Sequence, residues 1–192
     1  LYYFCDTIQA IWTKNRINTF FGNGIVAHIG FADPFCNDLR DIVHKAVTEL
    51  GIEHHFSDTT YVCIEGPQFS TRAESKVNRT NGFSVVGMTA IPEAKLAREA
   101  EICYANISLV TDYDVWKLGD EVGVEKVLEV MEANANTCKK LIKFLIPKMA
   151  QREIKCECQH ALKYAVQSAP ETVTKAPAYK SLSLLLDKYF KK

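Results

Sequence analysis

Tyr61-Val62-Cys63-Ile64-Glu65-Gly66-Pro67-Gln68-Phe69-Ser70-Thr71-Arg72-Ala73-Glu74-Ser75 is the stretch that decides the fold. Tyr61–Ile64 is rich in β formers and reads as a short strand. Gly66-Pro67 turns the chain, and Ser70 to about Asn81 reads as a helix. A strand that turns directly into a helix is the repeating unit of an α/β sheet, and in such sheets ligands bind outside the carboxyl ends of the strands. Phe69 would stand at the mouth of that crevice, where its ring can stack on a planar base. The same pattern also fits an ordinary corner with Phe69 in the core. Arg72 and Glu74 fit either an ion pair or helix-start charges.

Strand-like and helix-like segments alternate outward from this stretch. Upstream, Leu1–Cys5 is a strand candidate, Phe21-Gly22-Asn23-Gly24 a turn, and Ile25–Ile29 a second strand with His28 near its end. Leu39, Ile42, Val43, Ala46, Val47 and Leu50 share one helical face, and Gly51 closes that helix. His54-His55 reads as an exposed loop. Downstream, Val85–Met88 is a strand, and Thr89 caps a helix with Pro92 in its first turn. Ile102–Thr111 is the longest β-type run. Val124 to Leu145 is a long helix whose apolar face takes in Leu128, Met131, Leu141 and Ile142, with Pro147 at or just past its end. From Gln151 the texture becomes polar, and Leu182, Leu184, Leu185, Leu186, Tyr189 and Phe190 indicate a closing helix. Residues 1–192 read as a single α/β domain, with 151–192 its C-terminal helical tail.

Composition narrows the function. Hydrophobic residues make up 47% of the 192, enough for a sizeable core. The 23 basic and 23 acidic side chains balance, which argues against a nucleic-acid or anionic-membrane partner. There is neither a membrane-length apolar run nor a signal peptide, so a cytoplasmic protein is expected. The seven cysteines are scattered and odd in number, unlike a secreted disulfide framework. Cys156-Glu157-Cys158 lacks the usual two-residue spacer and an evident second ligand pair, so no metal site is expected. Disulfides remain open if the source is a thermophile. No Gly-x-Gly-x-x-Gly follows a strand, which speaks against a dinucleotide-binding redox protein.

Two further segments could carry chemistry. Val85-Val86-Gly87-Met88-Thr89 feeds a helix start, where free backbone N–H groups and the positive end of the helix dipole suit an anion such as phosphate. Thr89 adds a hydroxyl there, or is only an N-cap. Thr111-Asp112-Tyr113-Asp114 follows the long apolar run, and strand alternation would set both carboxylates on one side. One carboxyl donating and one accepting could protonate a purine ring nitrogen and hold an exocyclic amine; equally, the segment could be a solvated loop.

In combination these blocks closely resemble the methylthioadenosine phosphorylases: Phe20–Cys36 (FFGNGIVAHIGFADPFC), Tyr61–Ser75, Gly87–Tyr104 (GMTAIPEAKLAREAEICY), Val110–Trp116 (VTDYDVW) and Cys156–Leu162 (CECQHAL). The resemblance implies the nucleoside phosphorylase fold: a mixed central sheet, partly closed into a barrel, flanked by helices and assembling as a homotrimer. It implies phosphorolysis of 5'-methylthioadenosine to adenine and 5-methylthioribose 1-phosphate, with phosphate as co-substrate and no cofactor. Phe69 would pack on adenine, Met88 would line the ribose, and Thr89 would hold phosphate. Asp112 would serve N7 as the catalytic acid, and Asp114 the 6-amino group. Val122, Val124 and Val127 would wall the methylthio group, although a one-residue deletion precedes Val122. His28 would be lent to a neighbouring subunit. A purine nucleoside phosphorylase of broader specificity shares most of these features.

The family's Gly-rich phosphate loop and its Arg-His pair have no counterpart here, and Asp6–Lys14 departs from the usual segment. The sequence opens on Leu1 inside a strand, so an upstream beginning or a broken gene is expected. If these residues were the whole protein, catalysis would be crippled for want of phosphate contacts, leaving a non-catalytic fragment that at most binds purine or a full-length subunit.

Overall fold

A computed structural model describes residues 2–5, 7–56, 59–117 and 124–191. The strands are β1 (Tyr2–Phe4), β2 (Thr7–Trp12), β3 (His54–Phe56), β4 (Thr60–Ile64), β5 (Val85–Gly87) and β6 (Ser108–Leu109). The helices are α1 (Asn37–Glu49), α2 (Arg72–Thr80), α3 (Ala90–Glu99), α4 (Val124–Ala150), α5 (Pro170–Val173) and α6 (Tyr179–Phe190). The class is α/β with mixed pairing, as expected. The described strands form two three-stranded sheets, in the orders β3-β1-β6 and β2-β4-β5, and these do not close into a barrel. Only β1 and β6 run antiparallel; β1–β3, β2–β4 and β4–β5 are parallel.

Helix ends follow the sequence closely. After α1, Gly51 takes φ 64°, which lets its N–H reach Thr48 O and the Ile52 N–H reach Val47 O. That is a Schellman close, with Ile52 packing back onto the core. Thr71 and Glu74 form a reciprocal capping box at the start of α2, so Glu74 caps the helix instead of pairing with Arg72.

Among the described residues, three apolar clusters hold the elements. Phe4, Val43, Ala46, Val47, Leu141 and Leu145 join β1, α1 and α4. Cys5, Tyr61, Cys63, Ile91 and Ala94 join β4 to α3. Ile25, Val173, Leu182 and Leu186 seat the C-terminal helices on the Phe21–Ile25 turn. Glu101 adds a polar clamp: its carboxylate accepts from the Leu162 N–H at 3.0 Å, from Lys188 Nζ at 3.0 Å and from the Tyr189 hydroxyl. Glu101 sits at φ 57°, in the left-handed position that ends α3.

Several expectations are corrected. Ile25–Ile29 is not a strand. It makes isolated bridges, Gly22 to Ile25 and Ala27 to Val166, because its neighbours are a tight turn and the tail and not a sheet edge. His54-His55 belongs to β3. His54 packs edge-on to Phe4 at 5.7 Å and to His44 at 5.1 Å, so ring contacts compensate for low β propensity. Burial depresses the His44 pKa. Of Ile102–Thr111 only Ser108–Leu109 pairs, and the Tyr104 carbonyl is taken by the Cys36 N–H at 2.8 Å. Helix α4 continues past Leu145 with Pro147 inside it. Leu145 and Met149 on the core, and Lys148 bound to Glu49 at 2.8 Å, hold the turn that proline weakens. Leu128, Met131 and Ile142 are exposed, because the described residues cover only the side of α4 that carries Asn134, Leu141 and Leu145.

Candidate functional site

The candidate residues lie at the carboxyl ends of β4, β5 and β6. Parallel pairing aligns Cys63 with Gly87, so the turns after β4 and β5 emerge side by side. Gly66, at φ 69°, lets them touch: a Cβ there would stand 2.5 Å from Met88 Sδ. Met88 therefore lies over the Gly66 backbone. Phe69 is 59% exposed, which rules out the core reading and leaves its ring free at the rim.

Gly87 answers a second close approach. A Cβ on it would overlap the Tyr61 hydroxyl and stand 2.5 Å from Cζ of the same ring. The Tyr61 ring is buried, and its hydroxyl oxygen accepts the Thr89 N–H at 3.4 Å. Burial raises the Tyr61 pKa, with the hydrogen bonds from Thr89 partly opposing that. The expected helix-start anion site is thus modified. Thr89 is the N-cap of α3 without a side-chain cap, its N–H is turned toward Tyr61, and Ile91 breaks the helical dihedrals at φ −115°, ψ 126°. The Thr89 side chain is exposed. We expect Gly87→Ala to cost about 1–3 kcal/mol through overpacking, since a buried tyrosine ring cannot swing aside as a chain end can. Urea unfolding midpoints compare it with wild type.

The acidic pair is built differently from the alternating strand expected. β6 ends at Leu109, and Asp112 begins a turn: its Oδ1 accepts the Asp114 N–H at 2.8 Å and its Oδ2 accepts the Thr111 hydroxyl at 2.6 Å. Asp side chains favour such turns because they bond the backbone two residues on. Asp114, at φ 56°, opens a 3-10 turn over Asp114–Trp116. Both carboxylates are half-buried. α2 anchors this turn to the β4 loop: Arg72 donates to Val115 O at 3.1 Å, and the Arg79 guanidinium lies 4.0 Å above the Trp116 ring.

Arg16 is the residue that sequence reading missed. Its guanidinium donates to Met88 O at 2.6 Å, Ile91 O at 2.5 Å, Ile64 O at 3.2 Å and Glu65 O at 2.9 Å, and pairs with Glu65 Oε1 at 3.0 Å. One planar fork thus fixes the ends of β4 and β5 and the start of α3. The only signal in the sequence was a lone Arg in an unpatterned stretch. The Lys14 N–H and then Arg16 hold the Glu65 carboxyl below its usual 4.5. A depressed folded-state pKa stabilises above the unfolded value and loses its contribution as pH falls through the folded one. The stability advantage of wild type over Glu65→Gln should therefore be full at neutral pH and shrink progressively below about pH 4.5. Paired thermal melts from pH 7 to 3 check this.

The remaining candidates stand apart. Val127 is half-buried on α4, Val124 is its first residue, and Val122 lies outside the described residues. His28 is exposed, its backbone N–H tied to Ala165 O at 2.8 Å. Among the described residues, two open clefts do not include Phe69, Met88, Thr89 or the aspartates. One, of about 410 Å³, is lined by Thr19, Ile25, Lys95 and Glu99 among others. The other, of about 570 Å³, is lined by Arg72, Lys76, Arg79, Thr80, Val115 and Trp116. The fold also brings two cysteines that no spacing along the chain marks, Cys36 and Cys103, close to Cys156 and Cys158.

Known proteins are similar to this chain in sequence and in fold. The pattern of the Phosphorylase superfamily matches residues 6–147. The chain is 47% identical over 175 residues to S-methyl-5'-thioadenosine phosphorylase of Geobacter sulfurreducens, covering 91% of this chain and 60% of that protein. It is 46% identical over 182 residues to the Synechocystis enzyme of the same name, covering 93% and 55%. A crystal structure of methylthioadenosine phosphorylase from an Antarctic soil metagenomic library superposes with a TM-score of 0.88 at 39% identity, over 96% of this chain and 65% of that one. The Schistosoma mansoni enzyme in complex with adenine gives 0.79 at 28% identity, over 86% and 66%. The chain thus spans about 60% of the length of the curated relatives it matches. With the strand-end turns and the sequence pattern in agreement, the chain belongs to the phosphorylase superfamily.

Proposed function

We propose that the whole protein is a pentosyltransferase that splits 5'-methylthioadenosine with inorganic phosphate, giving adenine and 5-methylthioribose 1-phosphate. The observation that carries this reading is the Asp112 turn. Thr111 and the Asp114 N–H each occupy one Asp112 oxygen, which orients a half-buried carboxyl beside a second one and leaves acceptor capacity on both oxygens. A 6-aminopurine leaving group needs a proton at N7, which the protonated form of this carboxyl supplies, and an acceptor for its 6-amino group, which Asp114 supplies.

In this mechanism phosphate attacks the anomeric carbon as the C–N bond loosens and the sugar gains oxocarbenium character. Electron density flows into adenine, and Asp112 delivers or shares a proton at N7. Asp114 accepts from the 6-amino group, Phe69 covers the base, Met88 lines the ribose and Thr89 holds phosphate near the sugar hydroxyls. Val122, Val124 and Val127 wall the methylthio group, and His28 is lent to the same wall of a neighbouring subunit in a homotrimer; its exposure suits that role. Phosphate is the co-substrate and no cofactor takes part. Among the described residues no helix is long and apolar enough to cross a membrane, which fits a cytoplasmic site of action.

The acidic pair also sets selectivity. A 6-oxopurine presents a carbonyl oxygen to a carboxylate and loses the donor contact. Methylthioadenosine should therefore be turned over at least about 100-fold more efficiently than inosine, in the range expected for a lost polar contact in a buried site. Comparable kcat/KM values would replace this reading with a purine nucleoside phosphorylase of broader specificity, and turnover of neither would refute both.

A further inference from the structure

Cys36, Cys103, Cys156 and Cys158 come from three separate parts of the chain. Cys36 is the N-cap of α1, Cys103 follows the end of α3, and Cys156 and Cys158 sit at the start of the 3-10 turn Glu157–His160 in the tail. Their four Sγ atoms all lie within 4.8 Å of one another, and Cys103 and Cys156 approach to 3.4 Å. Four thiolates about 2.3 Å from one zinc stand about 3.8 Å apart, whereas a disulfide needs about 2.05 Å. The four sulfurs therefore surround a volume of tetrathiolate size. The three remaining cysteines have other surroundings: Cys5 and Cys63 are buried in an apolar core, and Cys138 lies on α4.

We propose that Cys36, Cys103, Cys156 and Cys158 bind one zinc ion, in a closed structural site that fastens the C-terminal tail to the start of α1 and the end of α3. The ligand set is all sulfur, and four-coordinate sulfur selects zinc over the hard divalent cations. Cys36 and Cys158 are buried and the other two half-buried, with all four corners filled by protein, so the site is structural and not catalytic. On binding, the four thiols release their protons to solvent and the site carries two net negative charges. The seam it closes already holds the Glu101 clamp two residues from Cys103. None of the four touches the candidate site, so zinc binding stands or falls apart from the proposed reaction.

The test uses the chain purified with a non-thiol reductant. Elemental analysis should find about one zinc per chain, and cobalt(II) added to the stripped protein should give the thiolate charge-transfer and visible bands of tetrahedral coordination, saturating at about one equivalent. Cys156→Ser with Cys158→Ser should abolish the bands, while Cys5→Ser and Cys138→Ser should leave them unchanged. If the double variant fails to fold, Cys103→Ser should still weaken zinc at least about 10-fold in competition with a chelating dye. Absence of the cobalt bands from wild type, bands that survive the double substitution, or a Cys103–Cys156 disulfide in the reduced preparation would each overturn the proposal.

Discussion

Asp112→Asn in the whole protein should lower kcat for methylthioadenosine phosphorolysis by about 10²–10⁴-fold, the contribution typical of a positioned general acid. The substitution is chosen to spare the turn. Asparagine keeps an oxygen that can accept the Asp114 N–H, and its amide can meet the Thr111 hydroxyl as donor to acceptor. What it loses is the ability to pass a proton to the leaving base. The deficit should therefore fall mainly on kcat, with KM little changed. A nucleoside whose leaving group needs no protonation should be much less affected. If the Asp112→Asn variant turned over the natural nucleoside as fast as wild type, Asp112 would be a turn-forming residue only, and the proton would have to reach N7 by another route. Asp114→Asn should behave differently, acting on the choice between 6-amino and 6-oxo purines more than on rate.

Arg16→Met should destabilise the fold by about 3 kcal/mol, the worth of one or two hydrogen bonds to a charged group. The side chain is 19% exposed, and its fork serves four carbonyls and the Glu65 carboxylate. Methionine fills a similar length but removes the guanidinium from all of these acceptors, leaving Ile64 O and Ile91 O only the weak Cys63 thiol as a side-chain donor. Arg16→Lys should restore less than half of the loss, because a single ammonium cannot span the ends of both strands. The same variants should raise KM for nucleoside and phosphate alike, since Met88 O and the start of α3 are among the groups released. Denaturant unfolding and steady-state kinetics on one set of samples separate the two effects. A loss below about 0.5 kcal/mol, the range of ordinary surface substitutions, would show that the strand ends hold their position without Arg16.

Local rules made the centre of this molecule legible. The strand, turn and helix of residues 61–80 follow from β propensity, Gly66-Pro67 and the Thr71–Glu74 spacing, and all of these act within a few residues. The same holds for Gly51, where one positive φ closes α1. Pairing partners were harder to read. β2 (Thr7–Trp12) went unrecognised as a strand, and it owes its state to pairing with β4 some fifty residues away. Ile25–Ile29 and Ile102–Thr111 show the converse: β-type residues mostly left unpaired, where propensity alone decides little.

The candidate site divides in the same way. Its residue types and the ends of its strands could be read along the chain, but its bracing could not. Arg16 reaches residues 47 to 75 positions away, and nothing local marks it. The aspartates were recognised through strand alternation, yet a turn held by Asp112 itself sets their geometry. The cysteine cluster is the extreme case. Its ligands are separated by up to 122 positions, from Cys36 to Cys158, so no spacing rule along the chain could assemble it.

Adenine release from methylthioadenosine by the whole protein, followed with and without inorganic phosphate, tests the proposed reaction most directly. Release should depend on phosphate and should be matched mole for mole by 5-methylthioribose 1-phosphate. Release at the same rate without phosphate, yielding free 5-methylthioribose, would make the protein a hydrolase; no release under either condition would contradict the proposed activity altogether.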